Sequence, residues 1–174
     1  MTQTYSIEPK LVVDWRAALI AGLVAGSVFL AILLIGIPLI YGMSAAVPVR
    51  YIASLVMGAG VLPPTGPEEA LAAPLPMIVG LLVHYGLSVA FSMILAYITH
   101  RWGFLMGIIV GALFGAAVYA INIYTMTLIY EWFFVFNSLT FFIAHVLFGA
   151  VAGGLYEAIE VERYRPSVEP KEAR

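Results

Sequence analysis

Four long stretches of this chain carry almost no charge. The first, residues 17–41, is uncharged throughout. At 1.5 Å per helical residue it reaches roughly 37 Å, more than the roughly 30 Å of a bilayer's hydrocarbon core. The others cover residues 76–99, 103–124 and 138–156. Together they predict an all-α integral membrane protein built as a four-helix bundle. Asp14 is placed to cap the first span, and Asn137 or Ser138 the fourth. Pro38 is expected to kink the outer end of the first. A cleaved signal peptide competes for this run, with Lys10 and Arg16 as its basic region and residues 44–46 as the cleavage site. Its apolar core would be about 7–15 residues long, and this run is much longer, so an uncleaved anchor is the better reading.

The connections differ in kind. Only His100, Arg101 and Trp102 separate the second and third spans, which predicts an antiparallel hairpin. Residues 42–75 form the longest link. Within it, 49–61 is apolar apart from Arg50 and Ser54, which share a helical stripe with Gly58. At roughly 20 Å this segment is too short to span, and it reads as one additional short interfacial or re-entrant helix. Pro63, Pro64, Pro67, Pro74 and Pro76, with Glu68 and Glu69, predict a stiff polar crossing back. The resulting organisation is an N-terminal segment 1–16, a transmembrane domain 17–157 and a charged tail 158–174. Glu157, Glu160, Glu162, Arg163 and Arg165 form a charged end to the fourth span and read as a solvated extension with near-neighbour ion pairs. From Pro166 onward the tail is expected to be disordered.

Composition supports the lipid setting. Charged residues make up 10% of the 174 and hydrophobic ones 63%, against about 25% charged in soluble domains. A net charge of −2 gives no reason to expect nucleic-acid binding. The absence of cysteine removes disulfides, thiolate metal sites and thiol nucleophiles. Seven of the eight Lys and Arg residues flank the spans on one side: Lys10, Arg16, Arg101, Arg163, Arg165, Lys171 and Arg174, with Arg50 alone opposite. The positive-inside rule then puts both termini on the cytoplasmic side of the membrane. Trp15, Trp102 and Trp132 fall at span edges, where amphipathic rings belong.

Glycine recurs every fourth residue on three spans: Gly22 and Gly26; Gly107, Gly111 and Gly115; Gly149 and Gly153. Such tracks let helix backbones approach closely in lipid. Packing within the bundle is one use. Docking of another subunit, or of a second copy, along the first span is the other.

The polar residues inside the spans are few. His84, Ser88 and Ser92 share one face of the second span. His145 lies in the fourth and Asn122 late in the third. Counted from the outer ends, both histidines sit roughly 10–12 Å deep, so they could face each other with Asn122 near the same layer. Intramembrane ionisable groups are functional candidates by default. The cluster His84, Ser88, Asn122 and His145 could hydrogen-bond structurally, relay protons or handle a substrate, or hold haem b between the histidines. No span contains a carboxylate to complete a metal shell, so no metal site is assigned. His100 reads as a headgroup-level residue. Glu131, among Tyr130, Trp132, Phe133, Phe134 and Phe136, reads as the acid of an aromatic interfacial cap, or of a rim contacting quinone or lipid. No catalytic motif is present, and no enzyme is expected.

Four segments carry a family resemblance: Gly60-Val61-Leu62-Pro63-Pro64, Val83-His84-Tyr85-Gly86-Leu87-Ser88, Ala120-Ile121-Asn122-Ile123-Tyr124 and Ala144-His145-Val146-Leu147-Phe148-Gly149. In these the chain resembles small bacterial inner-membrane proteins of about four spans and no established function, some called "sodium:proline symporter". The resemblance implies a bacterial inner membrane and a four-span fold. It puts His84, Asn122 and His145 inside the family's pattern without giving them a role. The symporter name does not suit four spans, because inverted-repeat symporters build their site from two multi-helix repeats.

Three functions compete at this level. The leading one is a non-catalytic accessory or assembly subunit, or a homo-oligomer, associating through its glycine tracks. The second is a small transporter or channel with a polar path near His84, Asn122 and His145. The third is a redox subunit holding haem b.

Overall fold

The computed structural model describes residues 6–62, 74–100, 102–161 and 163–169. Residues 63–73 of the expected proline-rich crossing, Arg101, Glu162 and residues 170–174 lie outside them. Four helices are long and apolar enough to cross a membrane: α1 (Trp15–Tyr41), α3 (Pro74–Thr99), α4 (Phe104–Ala120) with its continuation to Leu128, and α5 (Leu139–Ile159). The shorter α2 (Ala46–Met57) sits between α1 and α3. The bundle is all-α. Outside it, an antiparallel ribbon pairs β1 (Ser6–Val12) with β2 (Arg163–Glu169), with Pro9 opposite Pro166. This corrects the expectation of a disordered tail for residues 166–169.

Local chemistry sets the helix ends. Asp14 Oδ1 accepts from the N–H groups of Arg16 and Ala17 at 3.0 and 3.3 Å, satisfying two orphan donors of the first turn. Its other oxygen accepts from Val161 N–H at 3.3 Å, which ties the start of α1 to the end of α5. Gly42, in the left-handed region at φ 65°, stops α1 four residues beyond Pro38. Ser138, not Asn137, caps α5 by accepting from Phe141 N–H. Asn137 instead accepts from the Tyr119 hydroxyl at 2.9 Å. Pro74 and Pro76 open α3 rather than precede it, since a first-turn proline gives up only an N–H with no helical partner.

The short helix also differs from its expected bounds. It runs 46–57, begins under a bond from Ala46 N–H to Ser44 Oγ, and breaks at Gly58, whose φ is 79°. A 3-10 turn, Ala59–Val61, follows. Arg50 and Ser54 are buried, with Arg50 Nε donating to the Val61 carbonyl at 2.9 Å. Packing decides this: a methyl at Gly80 would collide with the Val49 carbonyl, so α2 lies directly on α3.

The packing order departs from the chain order. α4 packs on α5, α5 on α1, and α1 on α3. The predicted α3–α4 hairpin is a neighbour pair in sequence only, because α3 and α4 barely touch. Glycine explains the pairing. A methyl at Gly22 would lie 2.8 Å from Val89 Cα, and one at Gly26 2.6 Å from Ser88 Oγ. Methyls at Gly111, Gly149 and Gly153 would land on the carbonyls of Gly149, Gly111 and Gly107 respectively. All three glycine tracks therefore face inward, that of α1 included, rather than forming an outer docking face.

The core changes along the bundle. At the end next to the β1–β2 ribbon it is Ala17, Ala18, Ala21 and Ala96 around Tyr156. Toward the other end it becomes Phe29, Leu33, Tyr119, Phe136, Phe141 and Phe148. Small residues let the helices close, and large rings hold them apart.

Candidate functional site

The splayed half encloses a cavity of about 390 Å³. Its back is α1 and α5, through Phe29, Phe141, His145 and Phe148. Its sides are α3, through His84, Leu87 and Ser88, and α4 with its continuation, through Val118, Ile121 and Asn122. Its roof is α2, with Tyr130 and Phe133 of the aromatic segment Glu131–Phe136 and the turn before it. Trp132 Nε1 donates to Ser54 Oγ at 2.8 Å, and the ring of Tyr51 meets Phe136 edge-on at 4.9 Å, so the aromatic segment is fastened to α2. Glu131 is exposed at the start of this segment. Below the cavity, Phe91 and Phe114 bridge α3 and α4 at 6.3 Å. Leu87, Ile121 and Val56 line it while 41%, 53% and 64% exposed, which marks a mouth on the apolar outer surface between α3, α4 and α2.

The four expected polar residues all line this cavity. The histidines do not face each other directly. The Phe29 ring lies between them, stacked on His84 at 5.6 Å and edge-on to His145 at 4.8 Å. Phe29 was not singled out in sequence, although it continues the inward stripe of Gly22 and Gly26 at the next helical step.

Each imidazole is held in one tautomer. His84 Nε2 lies 2.8 Å from the Gly26 carbonyl. A carbonyl only accepts, so Nε2 carries the hydrogen and Nδ1 of the neutral ring carries the lone pair. His145 is reversed: Nδ1 donates to the Phe141 carbonyl at 2.8 Å, and Nε2 accepts from Asn122 Nδ2 at 3.1 Å. Asn122 owes its position to a π-helical turn, Ile121–Thr125, that follows α4. Such turns recur at functional sites because they re-aim side chains out of the α register. Ser88 Oγ donates to the His84 carbonyl at 2.8 Å. Ser92, one turn further, donates to the Ala18 carbonyl and belongs to the α1–α3 seam.

For haem, both histidine Nε2 atoms are already hydrogen-bonded and Phe29 occupies the space between the rings. A haem would have to displace all three. Among the described residues no group of three or more His, Asp or Glu is arranged to hold a metal.

The chain matches no protein-family model, no curated protein and no solved structure.

At the opposite end of the bundle, Glu157 is not the solvated residue expected. Its Oε2 accepts from Gly103 N–H at 2.9 Å, capping α4 from a neighbouring helix, and its Oε1 is buried with no hydrogen-bond partner among the described residues. His100 Nδ1 donates to the Tyr97 carbonyl at 2.9 Å, closing the end of α3.

Proposed function

We propose that this chain is a non-catalytic membrane protein that takes a lipophilic molecule from the bilayer into the cavity between α3 and α4. Both termini then lie on the cytoplasmic side of a cell's inner membrane and the cavity lies in the outer half. The observation that carries this reading is the cavity itself. Its size falls in the range of small-molecule sites, its walls are largely apolar and aromatic, and a few polar groups converge on it. Its mouth opens on the face that four apolar helices turn toward lipid, so a ligand need not cross water to enter. Self-association or binding to another membrane subunit would have to use faces other than the glycine tracks, which are occupied within the chain.

Photolabelling tests the proposal. The full chain in nanodiscs is irradiated with a diazirine-bearing long-chain hydrocarbon, and labelled residues are mapped by peptide mass spectrometry. Label is expected on Val118 and Phe148, which line the cavity and are 5% and 4% exposed. Leu87→Trp, at the mouth, should abolish that label and leave the label on the 70%-exposed Leu82 intact. Strong labelling of Leu82 with none at Val118 or Phe148 in the unmodified chain would sink the idea.

A further inference from the structure

The cavity's polar groups are strongly unequal in kind. His84, Ser88 and His145 each commit their hydrogen to a backbone carbonyl, at 2.8 Å in all three cases. The Tyr130 hydroxyl does the same toward the Leu55 carbonyl at 3.4 Å. What these bonds leave behind is lone pairs. Nδ1 of His84 has no hydrogen-bond partner among the described residues. The Ser88 oxygen can accept once its hydrogen is donated. Because Asn122 must offer its amino group to His145 Nε2, its carbonyl oxygen is left as an acceptor as well. The second amide hydrogen of Asn122 is the one side-chain donor remaining in this set.

We infer that the cavity selects a neutral lipophile whose head carries a hydroxyl hydrogen, with a phenol as the representative class. The hydroxyl satisfies the acceptors on α3 and the π-helical turn, the rings of Phe29, Phe141 and Phe148 contact a planar head, and the tail leaves through the mouth beside Leu87 and Ile121. An anionic head is disfavoured, because it would meet lone pairs in an apolar enclosure. A ligand of the same shape without the hydroxyl hydrogen leaves buried acceptors unpaired, and sites of this kind discriminate strongly against such analogues. This inference rests on the cavity being a binding site, as proposed above.

The test uses para-nonylphenol and its methyl ether, para-nonylanisole, as competitors for the hydrocarbon photolabel at Val118 and Phe148 in the full chain. The phenol should displace the label at a concentration at least about tenfold below the ether, a difference of about 1.4 kcal/mol. In Asn122→Leu and in His84→Phe the advantage should shrink to about twofold or less, and two variants guard against one failing to fold. Equal displacement by phenol and ether in the unmodified chain overturns the hydroxyl assignment while leaving the cavity reading intact. An advantage that survives in both variants also overturns it. Failure of the hydrocarbon to label Val118 and Phe148 at all overturns both readings together.

Discussion

Replacing Gly111 by alanine asks whether α4 and α5 are held by direct backbone contact. The new methyl would fall on the Gly149 carbonyl oxygen, with the carbonyl carbon 2.8 Å and Ala150 N 3.3 Å away. All three atoms are main chain, so no rotamer can turn aside. Carbon atoms in comfortable contact sit about 3.5–4.0 Å apart, so the helices must separate by something approaching 1 Å. A gap of that size forfeits roughly a quarter to a half of each contact along the seam. Overpacking of this sort costs about 1–3 kcal/mol, offset by roughly 0.5–1 kcal/mol from alanine's better helix propensity. The net expectation is a loss of about 1–2 kcal/mol, or about 5–30-fold in the folded-to-unfolded ratio. Gly86→Ala is the matched control. It lies in α3 with nothing within 4 Å of the added methyl, so it should leave stability unchanged or raise it by up to about 1 kcal/mol. Both variants can be unfolded by titrating SDS into dodecylmaltoside micelles and followed by far-UV circular dichroism. If Gly111→Ala proves as stable as Gly86→Ala, the helices are not in backbone contact and the account of the bundle's packing is wrong.

Three further outcomes are expected. Nitrogen-15 NMR of histidine-labelled protein should find His84 protonated at Nε2 and His145 at Nδ1; one shared tautomer would contradict the hydrogen bonds assigned to Gly26 and Phe141. Ser138→Ala should cost about 1 kcal/mol through loss of the cap on Phe141 N–H, while Ser138→Asp should retain most of it; equal behaviour of the two in thermal melts would remove Ser138 as the cap. Glu157→Gln should be neutral or stabilising, because it keeps an acceptor for Gly103 N–H and removes a carboxylate whose charge burial and the neighbouring Glu160 disfavour. Glu157→Ala should lose about 1 kcal/mol, and a melt in which Gln is the worse of the two would refute the capping role.

Much of the fold was legible because its causes are local. A helix in lipid must satisfy every backbone group within its own segment, so an uncharged run of sufficient length is enough to announce a span. Asp14 and Ser138 cap their own first turns, two or three residues away, and are read from type and position alone. Counting residues along the spans also suggested matched levels for His84 and His145, and both rings contact Phe29. Their union in one cavity with Ser88 and Asn122 was an expectation that counting could suggest but not establish.

The partner of each helix was not legible, and the reason is the solvent. In water a helix advertises its buried face by being apolar on that side. Here the outward face is as apolar as the face turned to a neighbour, so α4 carries no stripe that says it packs on α5 rather than on α3. The short link at residues 100–102 suggested the wrong pairing because it constrains chain ends, whereas backbone contact through Gly107, Gly111 and Gly149 decides which surfaces meet. The same is true of the site. Phe29 between the histidines, the π-helical turn that aims Asn122 and the opposite tautomers of the two rings depend on carbonyls and rings brought in from other helices or other turns. Sequence alone determined that four helices of this chain are long and apolar enough to cross a membrane and which polar residues they carry. The tertiary structure decided that large rings in one half of the bundle keep α3 and α4 apart, and so that those polar groups border a cavity instead of closing on one another.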